Sequence, residues 1–191
     1  LPNEDVEVSK EIQKQYKKLG VEILTSTKVE SVVDGGDKVT VTYTPKDGAQ
    51  ASIEADRVLM SIGFAPRVEG FGLDKTGVAL TERGAIDIDD HMRTNVPHIY
   101  AIGDVTNRVQ LTPVAIGEGQ AFADTQFGGK PTRVDYENIP SAVFSHPPMA
   151  GVGLTESQAK QKYGSVKVYL SDFRAMKNVL ANRNERALYK M

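Results

Sequence analysis

Gly103-Asp104 closes a short apolar run, Ile99-Tyr100-Ala101-Ile102, and is the pair of residues in this sequence best suited to holding a ligand. Open α/β sheets bind ligands beyond the carboxyl ends of their strands. A carboxylate there can accept a hydrogen bond from a sugar or sugar-alcohol hydroxyl, and the preceding glycine lets backbone come close to the ligand. The same two residues also suit a plain turn in which Asp104 bonds its own backbone, and both readings stand at this point. Further on, Leu111-Thr112-Pro113-Val114-Ala115 predicts a helix start, with Thr112 as N-cap and Pro113 at the first helical position. Its free N–H groups and positive dipole end would stabilise negative charge on a group in front of it. A well-capped helix with no ligand is the alternative. Gly63 follows the apolar run Val58-Leu59-Met60-Ser61-Ile62 and would either let a second ligand approach the backbone or simply form a turn.

The remaining residue types exclude more than they suggest. The chain has no cysteine, so its own residues form no disulfide or thiolate metal site and perform no thiol redox step. Its three histidines, His91, His98 and His146, lack metal-ligand spacing, and His146 before Pro147-Pro148 predicts a structural turn. Neither G-x-G-x-x-G nor a P-loop occurs, and Ser26, Ser61 and Ser141 lack a nucleophile-elbow context. A net charge of −2, from 23 basic and 25 acidic residues, gives no reason to expect nucleic acid or an anionic membrane as partner. No apolar run approaches the ~20 residues that span a bilayer. The lack of disulfides suits a cytoplasmic location.

The 191 residues suffice for one or two domains. Residues 4–19 read as an amphipathic helix, with Val8, Ile12, Tyr16 and Leu19 on one face and Asn3 or Asp5 as cap. A strand is predicted at Val21–Leu24. A meander follows, with Val29–Val33, the turn Asp34-Gly35-Gly36-Asp37, the alternating Val39, Val41 and Tyr43, and Ile53 after a second turn. Val58–Ile62 and Ile99–Ile102 read as strands covered on both faces, with residues 64–98 as a crossing between domains. The helix opened by Thr112 should end near Phe127, before Gly128-Gly129. Beyond a linker at 130–138, the expected elements are a strand at Ala142–Phe144 and a helix started by the capping box Thr155-Glu156-Ser157-Gln158 and stopped at Gly164. Strands at Val166–Leu170 and Arg186–Met191 complete the reading, the last with no partner after it.

Several of these segments, in order, resemble one family. Thr94-Asn95-Val96-Pro97-His98-Ile99-Tyr100-Ala101-Ile102-Gly103-Asp104-Val105, followed by Leu111-Thr112-Pro113-Val114-Ala115, is similar to the second flavin-binding motif of the pyridine-nucleotide disulfide oxidoreductases. Val58–Arg67 resembles that family's last nucleotide-domain strand and its exit. Ala142–Ala159, with Gly153-Leu154-Thr155-Glu156, resembles the opening of its dimer-interface domain. The first part, to about Val105, looks like a bacterial dihydrolipoamide dehydrogenase, including the Leu-Pro-Asn-Glu-Asp start and Ile-Gly-Phe-Ala-Pro. From Leu111 onward the chain looks more like glutathione reductase, through Leu-Thr-Pro-Val-Ala, Phe-Ser-His-Pro-Pro and Asp172–Asn178.

The resemblance implies an α/β, FAD- and NAD(P)-binding two-domain oxidoreductase fragment joined to the start of an α+β dimer-interface domain. Residues 1–66 would be the C-terminal part of the NAD(P)-binding domain, 67–136 the return segment of the FAD-binding domain, and 137–191 a truncated dimerisation domain. It also implies that Asp104, beside Gly103, binds the ribityl chain of FAD, and that the backbone of Leu111, Thr112, Pro113 and Ala115 faces the flavin ring. Gly63 would lie along NAD or NADP. A homodimer acting on a disulfide or dithiol is implied for the complete enzyme. The redox cysteine pair, both glycine-rich nucleotide loops and the acid/base histidine of the family are absent from these residues. No catalytic residue is therefore assigned, and this piece alone is expected to bind FAD weakly or not at all. A free-standing, non-catalytic module that binds flavin or protein is the alternative.

Overall fold

The computed structural model describes residue 1 and residues 3–191. Pro2, in the Leu-Pro-Asn-Glu-Asp start, lies outside them. The chain divides into two compact units, Leu1–Met60 together with Asn138–Met191, and Ser61–Glu137.

In the first unit, α1 (Val6–Lys18) is capped by Asp5, whose carboxylate accepts from the Glu7 N–H at 3.0 Å. Val8, Ile12 and Tyr16 are half-buried, as the spacing predicts, but Leu19 at the end of that stripe is exposed. Gly20 turns the chain out of the helix with a left-handed φ of +83°. The meander is β1 (Thr27–Asp34), β2 (Val39–Pro45) and β3 (Ala51–Ala55), antiparallel in that order. Val41 pairs with Val32 on one side and Ile53 on the other. The β1–β2 register shifts between Val29 and Ser31, the signature of a bulge. At the β1–β2 turn the Asp34 carboxylate accepts from the Gly36 N–H at 2.8 Å.

The later part of this unit contains β4 (Ser141–Val143) paired with β5 (Met149–Gly151), and α3 (Glu156–Tyr163). The capping box is formed in both directions between Thr155 and Gln158, and Gly164 closes the helix. The last hairpin is β6 (Leu170–Phe173) with β7 (Ala187–Lys190), and α4 (Met176–Leu180) lies between them. Phe173 and Tyr189 meet edge to face, centroids 5.1 Å apart. The Lys190 ammonium, mostly buried, contacts three carboxylates. They are Asp5 at 2.9 Å, Glu7 at 2.6 Å and Glu156 at 2.7 Å.

In the second unit, short 3₁₀ turns at Leu73–Lys75 and Gly103–Thr106 accompany one long helix, α2 (Thr112–Gln126). Ala85, Met92, Ala101, Val114 and Ala121 form its buried apolar core. Asn95 joins distant backbone, accepting from Ala79 N–H at 2.8 Å and donating to Gly77 C=O at 2.9 Å. Tyr100, Phe122 and Phe127 stack edge to face along the end of α2.

Several expected strands are not formed. Val58–Ile62 is irregular, with Leu59 90% and Ile62 89% exposed. An apolar run is covered on both faces only inside a sheet, and among the described residues no strand pairs with this one. Ile99–Ile102 forms only an isolated bridge, Arg93 with Tyr100. Val21–Leu24 is irregular with Val21 and Leu24 exposed. Of the strand expected at Val166–Leu170 only the end pairs, Tyr169 exchanging backbone hydrogen bonds with Met191 at 2.7 and 2.9 Å and Leu170 lying opposite Lys190, where β6 begins. The final strand does have a partner, and it lies upstream.

Candidate functional site

The backbone reaches Gly103 extended, with φ −138° and ψ 162° at Ile102, then turns left-handed at Gly103 with φ +71°. Gly103 is buried, and its N–H donates to Glu118 Oε2 at 2.6 Å. The turn is held from within by the Thr106 hydroxyl donating to Gly103 C=O at 2.8 Å and by Asn107 N–H donating to Asp104 C=O at 3.0 Å. Val105 C=O accepts from Ile86 N–H at 3.0 Å. These bonds use backbone carbonyls. The Asp104 carboxylate itself is exposed and takes no hydrogen bond from the described residues. The plain Asx turn is therefore not formed, and the carboxylate is free to accept from a ligand.

α2 starts one residue earlier than its sequence suggests. Leu111, extended and without a capping side chain, occupies the N-cap, while Thr112 and Pro113 fall within the first turn. A proline is tolerated there because the first helical N–H groups have no partner inside the helix. Leu111 C=O accepts from Val114 and Ala115 N–H at 3.0 and 3.1 Å. Thr112 and Pro113 are exposed, so the uncapped positive end of the dipole faces outward. The helix touches the turn through Ala115, Glu118 and Gly119, spaced three and four apart. A Cβ placed on Gly103 would stand 3.2 Å from Ala115 Cβ, and one on Gly119 would stand 3.5 Å from Ile102 Cδ1. Gly103, Asp104, Leu111, Thr112, Pro113 and Ala115 thus form one turn-and-helix-start assembly. Gly63 is not held against it. Its φ of +117° is left-handed, and beyond its chain neighbours nothing stands within 4 Å of where a Cβ would be.

Three residues of this assembly are absent from the sequence reading. Glu118 is 1% exposed, and its other oxygen, Oε1, accepts from the Tyr136 hydroxyl at 2.6 Å. Arg108 lies over the Tyr136 ring, 5.4 Å from the centroid, and donates to Ile88 and Asp89 C=O at 2.8 and 3.1 Å. Burial, reinforced by the Glu118 carboxylate and partly offset by Arg108, raises the Tyr136 phenol above its ordinary pKa. It therefore stays a proton donor throughout the neutral range. The sequence signal for Glu118 is a lone carboxylate on the face of α2 that carries Val114 and Ala121.

Residues 1–119 match the family described as pyridine nucleotide-disulphide oxidoreductase, and residues 139–191 match its dimerisation domain. The chain belongs to this family. Within it, the chain is 56% identical over 176 residues to a dihydrolipoyl dehydrogenase of Mycobacterium tuberculosis, covering 92% of this chain and 38% of that one. It is 43% identical over 187 residues to a glutathione reductase of Burkholderia cepacia, covering 98% and 41%. Among solved structures, the HOCl-induced flavoprotein disulfide reductase RclA from Escherichia coli superposes with a TM-score of 0.84 at 26% identity, covering all of this chain and 43% of that one. The chain thus spans about two-fifths of the length of these family members. The α/β oxidoreductase fold class with an appended dimerisation domain stands. Among the described residues no helix is long and apolar enough to cross a membrane.

Proposed function

We propose that the chain is part of an FAD-dependent enzyme that transfers electrons between NAD(P)H and a disulfide or dithiol, as a homodimer in the cytoplasm. The observation that carries this reading is the Asp104 carboxylate, exposed and unengaged on a left-handed glycine turn directly against the start of α2. Flavin bound there would supply the electron-pair transfer between nicotinamide and disulfide. For their part, the chain's residues bind and orient. Asp104 accepts hydrogen bonds from the ribityl hydroxyls, Gly103 keeps the backbone clear, and the end of α2 at Leu111–Pro113, with Ala115 behind it, favours negative charge on the ring. Gly63 is proposed to lie along the nicotinamide cofactor. The thiol chemistry belongs to residues outside these 191, which hold no cysteine.

The proposed division is 1–66 for the end of the NAD(P)-binding domain, 67–136 for the flavin-domain return and 137–191 for the interface domain. It is supported by the compact unit Ser61–Glu137 and by the dimerisation match from residue 139. Relatives bearing two different substrate names, dihydrolipoyl dehydrogenase and glutathione reductase, leave both lipoamide and glutathione as substrates to assay. The test is Asp104→Ala in the complete enzyme of which these residues are part, read by bound flavin absorbance and by NAD(P)H-dependent reduction of each disulfide. At least a tenfold weakening of flavin binding is expected, from the loss of charged-acceptor hydrogen bonds. Unchanged flavin content would leave the non-catalytic module as the reading to pursue.

A further inference from the structure

We infer that Glu118, steadied by Tyr136, is a positioning residue that aims Asp104 at the flavin, an inference that rests on the flavin reading above. A carboxylate 1% exposed and without a basic side chain in salt-bridge range among the described residues is costly to keep on an apolar helix face. An apolar side chain of similar volume would avoid that desolvation cost. What such a side chain cannot do is accept the Gly103 N–H. That N–H is the first of the 3₁₀ turn and belongs to a buried residue, so without Glu118 it would be orphaned.

Both Glu118 oxygens are committed, Oε2 to Gly103 N–H and Oε1 to the Tyr136 hydroxyl, each at 2.6 Å. The carboxylate plane is thereby fixed, and with it the left-handed backbone of Gly103, the residue from which the Asp104 side chain departs one position later. Tyr136 is itself backed by Arg108. Asp104, by contrast, has no internal bond of its own to set its direction. The direction of the ligand-facing carboxylate is therefore set through its neighbour's N–H.

The test is a set of variants of the complete enzyme purified with flavin, read by the flavin dissociation constant and by visible circular dichroism of the bound flavin, which reports its pose. Glu118→Ala should weaken flavin about tenfold and alter the dichroism. Glu118→Gln, whose amide oxygen can still accept from Gly103 while its NH₂ donates to Tyr136, should stay within about twofold. Tyr136→Phe should fall between them. If Glu118 acts through Asp104, the double variant Asp104→Ala/Glu118→Ala should be no more than about twofold weaker than Asp104→Ala alone. Additive losses, or unchanged affinity and dichroism in Glu118→Ala beside a weakened Asp104→Ala, would overturn the inference alone. An unaffected Asp104→Ala would overturn the flavin reading and this inference with it. If Glu118→Ala does not fold, Tyr136→Phe, which removes one hydroxyl, decides, and wild-type affinity and dichroism there would sink the proposal.

Discussion

Two demands coincide at Gly103. Its φ of +71° disfavours any side chain, and a Cβ would crowd Ala115 at 3.2 Å. Gly103→Ala should therefore destabilise by about 1–3 kcal/mol, more than the left-handed penalty alone, measured by urea unfolding. A loss no larger than the left-handed penalty, about 1 kcal/mol, would show that α2 yields at Ala115. At this scale the sequence placed a turn at Gly103 and Asp104 but left open whether it serves a ligand or only the backbone, because a Gly-Asp pair after an apolar run suits both. It was silent about Glu118 and Tyr136. A glutamate inside a helix is ordinarily solvated, and the 18 residues separating it from Tyr136 have no periodicity that would pair them.

Elements were legible where their ends carry local chemistry. The capping box at Thr155 and Gln158 and the turn at Asp34 through Gly36 are set by side chains bonding backbone a few residues away. Thr155→Ala should accordingly cost about 1 kcal/mol, seen as lower α3 protection in hydrogen exchange with β1–β3 unaffected. Elements that depend on distant partners were not legible. Val58–Ile62 has the composition of a buried strand, yet composition does not supply the neighbouring ladder. Met176–Leu180 spans only five residues, too few for a helical period to emerge. The start of α2 moved to Leu111 because an extended residue, rather than a capping hydroxyl, leads into the proline-bearing turn.

At the scale of the molecule, the ions around Lys190 give the first unit a defined pH window. Burial pushes the Asp5 carboxyl up, but bonds from Lys190 and from the Glu156 and Glu7 N–H groups outweigh it and hold it below its ordinary value. Glu156 is held low by Lys160 and Lys190. Burial alone would lower Lys190, but Glu156, Glu7 and Asp5 outweigh it and raise it. Depressed carboxylates contribute stability above their unfolded pKa, near 4, and lose it as pH falls through the folded values. The raised lysine contributes below its unfolded pKa, near 10.4, and loses that as pH rises through the folded value. The contribution is thus full between about pH 5 and 10. Lys190→Met should lower the melting temperature by about 5 °C at pH 7, and the difference from wild type should shrink toward pH 3. An equal difference at both pH values would mean that the ammonium contributes packing alone.

The same lysine bears on the order in which the protein is made. Lys190 joins Asp5 across 185 residues, and the first unit draws on both sides of residues 61–137. A chain leaving the ribosome at about 5–20 residues per second presents all of the second unit before Lys190 exists. The Gly103 turn and α2 can close while α1 still waits for the residues that complete its ion cluster. Synthesis thus runs the middle of the chain ahead of its beginning. A nascent chain stalled soon after residue 137 emerges should already shield the Gly103 amide while leaving α1 open to protease.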